Sequence, residues 1–174
     1  PNRANFVFKT TPEEVSYPIL GYKNGNIIPI NKGIYTIKSD HQIGNMADIC
    51  NECGNCDNFC PETGGPYKVK SHFFRSLDRL KKSKSDGYHI SQKDDNIEMW
   101  GRVDGIAYKM SLSTQSDKAT FENEMIRVEF KYSEGTILKT EAILPNPEST
   151  INLEVFFRFR TLLNGMLKEP YWAM

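Results

Sequence analysis

The sequence predicts an α+β fold in which a cysteine-rich loop with an inserted β-hairpin is followed by an antiparallel sheet covered by a C-terminal helix. Three observations support this expectation: four cysteines lie within eleven positions, an Asn24-Gly25 pair separates two apolar runs, and apolar residues alternate with polar ones in the second half. The 174 residues divide into a cysteine-bearing domain at 1–80 and a β-rich domain at 87–174.

Turn residues between short apolar runs predict the strands of the first domain. One strand is expected at residues 4–8 and another at 34–37. Asn24-Gly25 predicts a hairpin between these strands, because both positions of a two-residue turn require a positive φ. Asp40 is a suitable N-cap, so a short helical approach to the cysteines is expected after it.

A helix and an exposed linker are expected between the two domains. Apolar residues stand there at helical spacing, namely Phe73, Phe74, Leu77 and Leu80. The polar run at 81–87 follows them and is typical of a solvated linker.

Alternation of apolar and polar residues predicts strands with one buried face in the second domain. These strands are expected at 97–100, 108–112, 126–132 and 137–144. In the strand at 126–132 the buried face would consist of Ile126, Val128, Phe130 and Tyr132.

Residues 151–167 fit two patterns, because their apolar residues alternate like a strand and also form a helical face. The length of this stretch favours a helix packed on the sheet. Arg158 and Arg160 interrupt its apolar residues and are expected to extend to water.

The charge balance argues against binding that depends on bulk charge. Lys and Arg number 22, as do Asp and Glu, so the net charge is zero. Binding to nucleic acid or to an anionic membrane through bulk charge requires an excess of cations. The chain contains no apolar run of about 18 residues and no signal peptide pattern. We therefore expect no nucleic acid and no membrane partner. Because the chain starts at Pro1, we also expect it to be a piece of a longer polypeptide.

The four cysteines carry the strongest functional signal. They follow the spacing C-x2-C-x2-C-x3-C-P, with the ligand candidates Cys50, Cys53, Cys56 and Cys60. This is the ferredoxin-like run that binds a cubane [4Fe–4S] cluster. Two-residue gaps let successive thiolates fold onto one side of a tight loop. The sequence therefore predicts a cofactor- and metal-binding site at these cysteines, and it offers no catalytic residue.

A structural zinc site is the alternative interpretation. Zinc sites usually combine two separated pairs of ligands, and no second pair follows these cysteines. The histidines are isolated from one another, at His41, His72 and His89. In this second hypothesis the cysteines bind zinc, and the C-terminal sheet docks a partner without any redox role. Both interpretations fit a reducing cytoplasmic compartment.

The cysteine run also resembles a known family. The segment from Cys50 to Pro61, continuing to Gly65-Pro-Tyr67-Lys68, is similar to the C-terminal region of selenate reductase-like iron–sulfur subunits. Those are large bacterial cytoplasmic flavoproteins, similar to the small subunit of glutamate synthase. The opening Pro1-Asn-Arg-Ala-Asn5 resembles the same family, so the likeness covers about residues 1–75. Residues 87–174 correspond to the family's C-terminal extension by position alone.

The resemblance implies an electron-transfer segment of a larger cytoplasmic oxidoreductase that contains flavin and iron–sulfur clusters. The 4Fe-4S cluster would be held by the four cysteines in the full-length protein, whereas FAD and NAD(P)H would bind outside this chain. The implied partners are the upstream flavin and ferredoxin regions of the same polypeptide and a molybdenum-hydroxylase-like subunit. This stretch alone carries only electron-transfer ligands.

The spacing has a further consequence for Cys60. In two-cluster ferredoxins the fourth cysteine of each run binds the other cluster. Cys50, Cys53 and Cys56 would then share one cluster with an upstream cysteine, and Cys60 would belong to the second cluster. We therefore expect the chain by itself to hold no intact cubane.

Overall fold

The structure is a computed structural model that describes residues 3–23, 25–58, 64–144 and 150–169. Of these residues 52% lie in strands and 18% in helices, and a single helix is long. The expected α+β fold is therefore wrong, because the protein is mostly β with one large mixed sheet. The physical reason is that the segments on either side of the cysteine loop pair with each other as strands, so they extend the sheet.

Within the described ranges the elements follow one another as strands with few helices. The strands are β1 (Asn5–Lys9), β2 (Glu13–Lys23), β3 (Asn26–Ile37), β4 (His41–Met46), β5 (Ser71–Phe73), β6 (Gly87–Lys93), β7 (Asn96–Val103), β8 (Ile106–Ser113), β9 (Lys118–Glu122), β10 (Ile126–Lys131), β11 (Thr136–Ala142) and β12 (Thr150–Asn152). The helices are α1 (Pro66–Val69), α2 (Leu77–Lys82) and α3 (Glu154–Leu167), with a 3-10 turn at Asn55–Asn58. No helix in the described ranges is long and apolar enough to cross a membrane.

The main sheet has nine strands in the order β1-β4-β5-β6-β7-β8-β9-β10-β11. From β6 to β11 the neighbours are antiparallel, but β5 runs parallel to both β4 and β6. The main sheet therefore contains strands from both sides of the polar run at 81–87.

The predicted hairpin is confirmed in the three-stranded sheet β12-β2-β3. Lys23 pairs with Asn26 across a two-residue turn, and Gly25 has a φ of 81°. Asn24 lies outside the described residues. The strand expected at 34–37 is the second half of the long strand β3.

The two sheets enclose α3. Its Phe156 ring stacks on Phe130 of the main sheet, with ring centroids 3.6 Å apart. On another side, Phe157 packs against Tyr17 and Tyr35 of the small sheet, with centroids 5.5 Å and 6.0 Å away. Apolar residues on more than one face of a helix need more than one partner surface, and the two sheets provide them.

The predicted face of β10 is largely confirmed. Ile126, Val128 and Phe130 are at most 1% exposed, whereas Tyr132 is only partly buried. The Tyr132 hydroxyl donates a hydrogen bond to Asn164 of α3. The sequence pattern therefore identified the register of β10 correctly.

Two local expectations are wrong. Residues 41–46 form β4, because they pair with β1 and β5, so no helix starts at Asp40. Phe73 belongs to β5, and the helix begins only at Leu77, where the Ser76 hydroxyl caps it. In both places strand pairing with distant segments overrides the local signal.

Arg160 also departs from expectation, because its side chain is only 5% exposed and does not extend into solvent. Its guanidinium donates to the Glu13 carboxylate over 2.6 Å. Tyr35 donates to Thr161, the residue beside Arg160, over 3.0 Å. The pair of the buried Arg160 with the partly exposed Glu13 connects α3 to the small sheet.

Val128 provides a test of the main core. Val128→Asp places an unpaired charge at a position with no solvent exposure, and we expect a loss of about 3–5 kcal/mol in the free energy of unfolding. The matched control is Leu138→Asp on the neighbouring strand, where the side chain is 50% exposed and we expect less than about 0.5 kcal/mol. Urea denaturation measures both; equal losses would contradict the register.

Gly25 tests the hairpin turn. A Cβ at this position would touch nothing within 4 Å, so the effect of a substitution comes from the backbone alone. We expect Gly25→Val to lower the free energy of unfolding by about 1–2 kcal/mol, because a β-branched residue resists a positive φ. Gly25→Asn is the control, because Asn tolerates this conformation and should cost much less. If thermal denaturation shows that the Gly25→Asn variant is no more stable than Gly25→Val, the turn assignment is contradicted.

Candidate metal centre

The cysteine loop starts at the end of β4, where the backbone holds it to the sheet. The N–H groups of Ile49 and Cys50 both donate to the Met46 carbonyl over 3.2 Å. The N–H of Ala47 donates to the Phe73 carbonyl over 2.9 Å, which extends the pairing of β4 with β5. The first candidate ligand is therefore connected to a rigid element.

Each gap between the first three cysteines contains one residue in the left-handed region. Glu52 has a φ of 50° and Gly54 a φ of 76°. The 3-10 turn follows, and in it the Asp57 N–H donates to the Gly54 carbonyl over 2.9 Å. A positive φ is uncommon outside glycine, so Glu52 marks a tightly turned backbone. Such turns form the N–H-lined concavities that are found at many iron–sulfur sites.

The structure describes three of the four predicted ligands. Cys50, Cys53 and Cys56 are free thiols; Cys53 is exposed and the other two are half-buried. Cys60 lies outside the described residues. Within the described part of the chain, no three His, Cys, Asp or Glu side chains gather as a metal-binding group. The donor chemistry fits an iron–sulfur cluster or zinc, since thiolates are soft ligands suited to both.

The segment after the loop is also tightly turned. Gly64 and Gly65 have φ values of 103° and 65°, and Pro66 then begins α1. The positive φ of Gly65 favours glycine there, and a Cβ would displace the nearby carboxylate of Asp57. The segment that leads from the loop into α1 is thus packed against the 3-10 turn.

Asp48 ties the start of the loop to the segment before α2. Its side chain is only 6% exposed. One carboxylate oxygen accepts from the N–H of Arg75 over 2.6 Å, and the other accepts from the Arg79 guanidinium over 3.3 Å. Sequence analysis missed this residue, because its partners lie 27 and 31 positions away.

Lys68 on α1 lies close to the acidic residues of the loop. Its pKa is raised, first by its contact with Tyr67 and further by the charges of Asp57 and Glu52. The negative charges of the loop thus favour the protonated amine of Lys68, which lies beside them.

The histidines have partners away from the cysteines. A ring nitrogen of His72 lies 2.8 Å from the Tyr67 carbonyl, and one of His89 lies 2.9 Å from the Phe74 carbonyl. His41 contacts Asp40 over 2.7 Å.

Comparison with protein-family models, with curated proteins and with solved structures gives no match for this chain.

Asp48 offers a test of the anchoring of the loop. Asp48→Ala leaves the Arg75 N–H without its acceptor, and we expect a loss of about 1–3 kcal/mol in the free energy of unfolding. Hydrogen exchange at the Arg75 amide should also accelerate. The control is Asp78→Ala in the exposed first turn of α2, which should leave that amide protected. If the Arg75 amide exchanges equally fast in the two variants, the role of Asp48 in anchoring the loop is contradicted.

Proposed function

We propose that this chain is the 4Fe-4S-binding electron-transfer segment of a larger cytoplasmic flavin and iron–sulfur oxidoreductase of the selenate reductase-like type. The observation that carries the proposal is the C-x2-C-x2-C-x3-C-P spacing. Two structural features support it: one left-handed residue stands in each of the first two gaps, and the thiols of the described cysteines are free.

The four cysteines would bind two different clusters. Cys50, Cys53 and Cys56 provide thiolates to one cluster, and Cys60 provides a thiolate to a second cluster, as in two-cluster ferredoxins. A bound cluster supplies one-electron transfer. The chain's own contribution is to hold the ligands on a loop that is attached to the end of β4 and packed against the start of α1.

The rest of the proposal depends on the resemblance of residues 1–75 to the family. FAD and NAD(P)H would bind in upstream regions of the same polypeptide, and bond-making chemistry would take place outside this chain. A molybdenum-hydroxylase-like subunit would be the partner that exchanges electrons with the clusters.

Anaerobic reconstitution of the full-length polypeptide with iron and sulfide tests the proposal. We expect a broad brown charge-transfer absorption and bound iron in the parent protein. Cys53→Ser should lose most of the signal from the cluster held by the first three cysteines, because it removes one thiolate ligand. Asn51→Ser is the matched control, since it changes an exposed residue of the same loop to the same product.

Metal analysis distinguishes the alternative interpretation. Stoichiometric zinc together with a failure to incorporate iron would contradict electron transfer and would support a structural zinc site. A signal equally lost in Asn51→Ser and Cys53→Ser would show that the loop fold, and not the thiolate, is responsible.

A further inference from the structure

A belt of positive charge adjoins the cysteine loop. The basic belt comprises the Lys and Arg residues of the segment 68–84, which are Lys68, Lys70, Arg75, Arg79, Lys81, Lys82 and Lys84. Asp78 is the one acidic residue of that segment. Since the whole chain has a net charge of zero, positive charge is strongly concentrated on this segment.

The end of the basic belt is held in place by Arg102 of β7. The Arg102 guanidinium donates to the carbonyl groups of Leu80, Ser83 and Ser85 over 3.0, 2.7 and 3.2 Å. Of the run at 81–87, which the sequence predicts to be an exposed linker, residues 81–86 are mostly exposed and are attached to the sheet, whereas Gly87 is buried and begins β6. A backbone that is already held in place loses less conformational entropy when a partner binds.

A groove of about 720 Å³ connects the basic belt with the cysteine loop. The cations that line it are Lys68, Lys70 and Lys84 of the belt, Arg102 of β7 and Arg158 of α3. Glu52, which lies between the first two cysteines, lines the same groove. A molecule seated there would lie beside the cysteine loop.

The charges in the groove favour a protein over a nucleic acid. Carboxylates of Glu52, Asp86 and Asp104 line it among the cations. A continuous phosphate backbone would be repelled by these carboxylates, whereas a protein surface can oppose them with its own cations. Complexes between electron-transfer proteins typically have small interfaces and low affinity. Complementary charges on the two proteins promote their encounter.

We propose that the basic belt docks an acidic electron-carrier protein and seats it in the groove beside the cysteine loop. This inference rests on the proposed electron-transfer function, because that function requires a partner to approach the cysteines. Docking itself makes no covalent bond and moves no electron.

Titration with an acidic flavodoxin tests the inference. The belt variant carries Lys68→Glu, Lys82→Glu and Lys84→Glu, all at exposed positions. The control variant carries Lys32→Glu, Lys38→Glu and Lys139→Glu, which are also exposed and give the same net charge. Calorimetry at low and high salt measures the dissociation constant. We expect salt-sensitive binding by the parent protein, a weakening of roughly tenfold or more in the belt variant and a much smaller change in the control.

Three results would overturn the inference. Equal weakening in both variants would mean that bulk charge alone drives binding. Tighter binding of duplex DNA than of flavodoxin would identify a nucleic-acid surface, and an absence of salt-sensitive binding would remove the docking site. Circular dichroism checks that the variants fold, and Lys82→Glu/Lys84→Glu replaces the triple variant if that one does not.

The docking surface and the electron-transfer function can be contradicted independently of each other. Flavodoxin binding is measured on the chain without added iron, so a zinc-binding loop would leave the docking result unaffected. Conversely, a reconstituted cluster without flavodoxin binding would leave electron transfer standing and remove only the docking site.

Discussion

The architecture depends on the burial of α3, whose apolar residues lie on more than one face. Nine of its fourteen residues are buried, so both sheets are needed to cover it, while Glu154 and Arg158 form a partly exposed ion pair on the remaining face. The nine-stranded sheet covers Phe156 and Phe159, while the small three-stranded sheet covers Phe157. Because β12 directly precedes α3 and pairs with β2, the helix and the small sheet are joined along the chain as well.

One charged pair crosses this core. Arg160 lies on the buried helix, and burial of an unpaired guanidinium would be strongly unfavourable. Glu13 supplies the compensating charge from β2, and Ser133 adds a carbonyl acceptor at 3.4 Å. The pair therefore adds a charged contact between α3 and the small sheet to the apolar packing of Phe157.

The cysteine loop depends on this framework indirectly. It leaves β4 and returns through α1 to β5, and these two strands are neighbours in the main sheet. Both ends of the loop are therefore held at one place, with Asp48 as an additional attachment. The basic belt continues from α1 through α2, so acidic residues of the loop such as Glu52 and Asp57 lie next to a strongly cationic surface.

The sequence by itself determined the features that depend on near neighbours: the face of β10 with Val128 at its centre, the turn at Gly25, and the position of Cys50, Cys53 and Cys56 on one loop. Local periodicity and turn chemistry specify these features without distant partners. Only the tertiary structure decided that β4 and β5 join the main sheet, that Arg102 attaches the basic belt, and that Arg160 is buried. Arg160 meets Glu13 across 147 positions, and a pairing of that range leaves no periodic signal in either segment, because it arises only when both sheets close on α3.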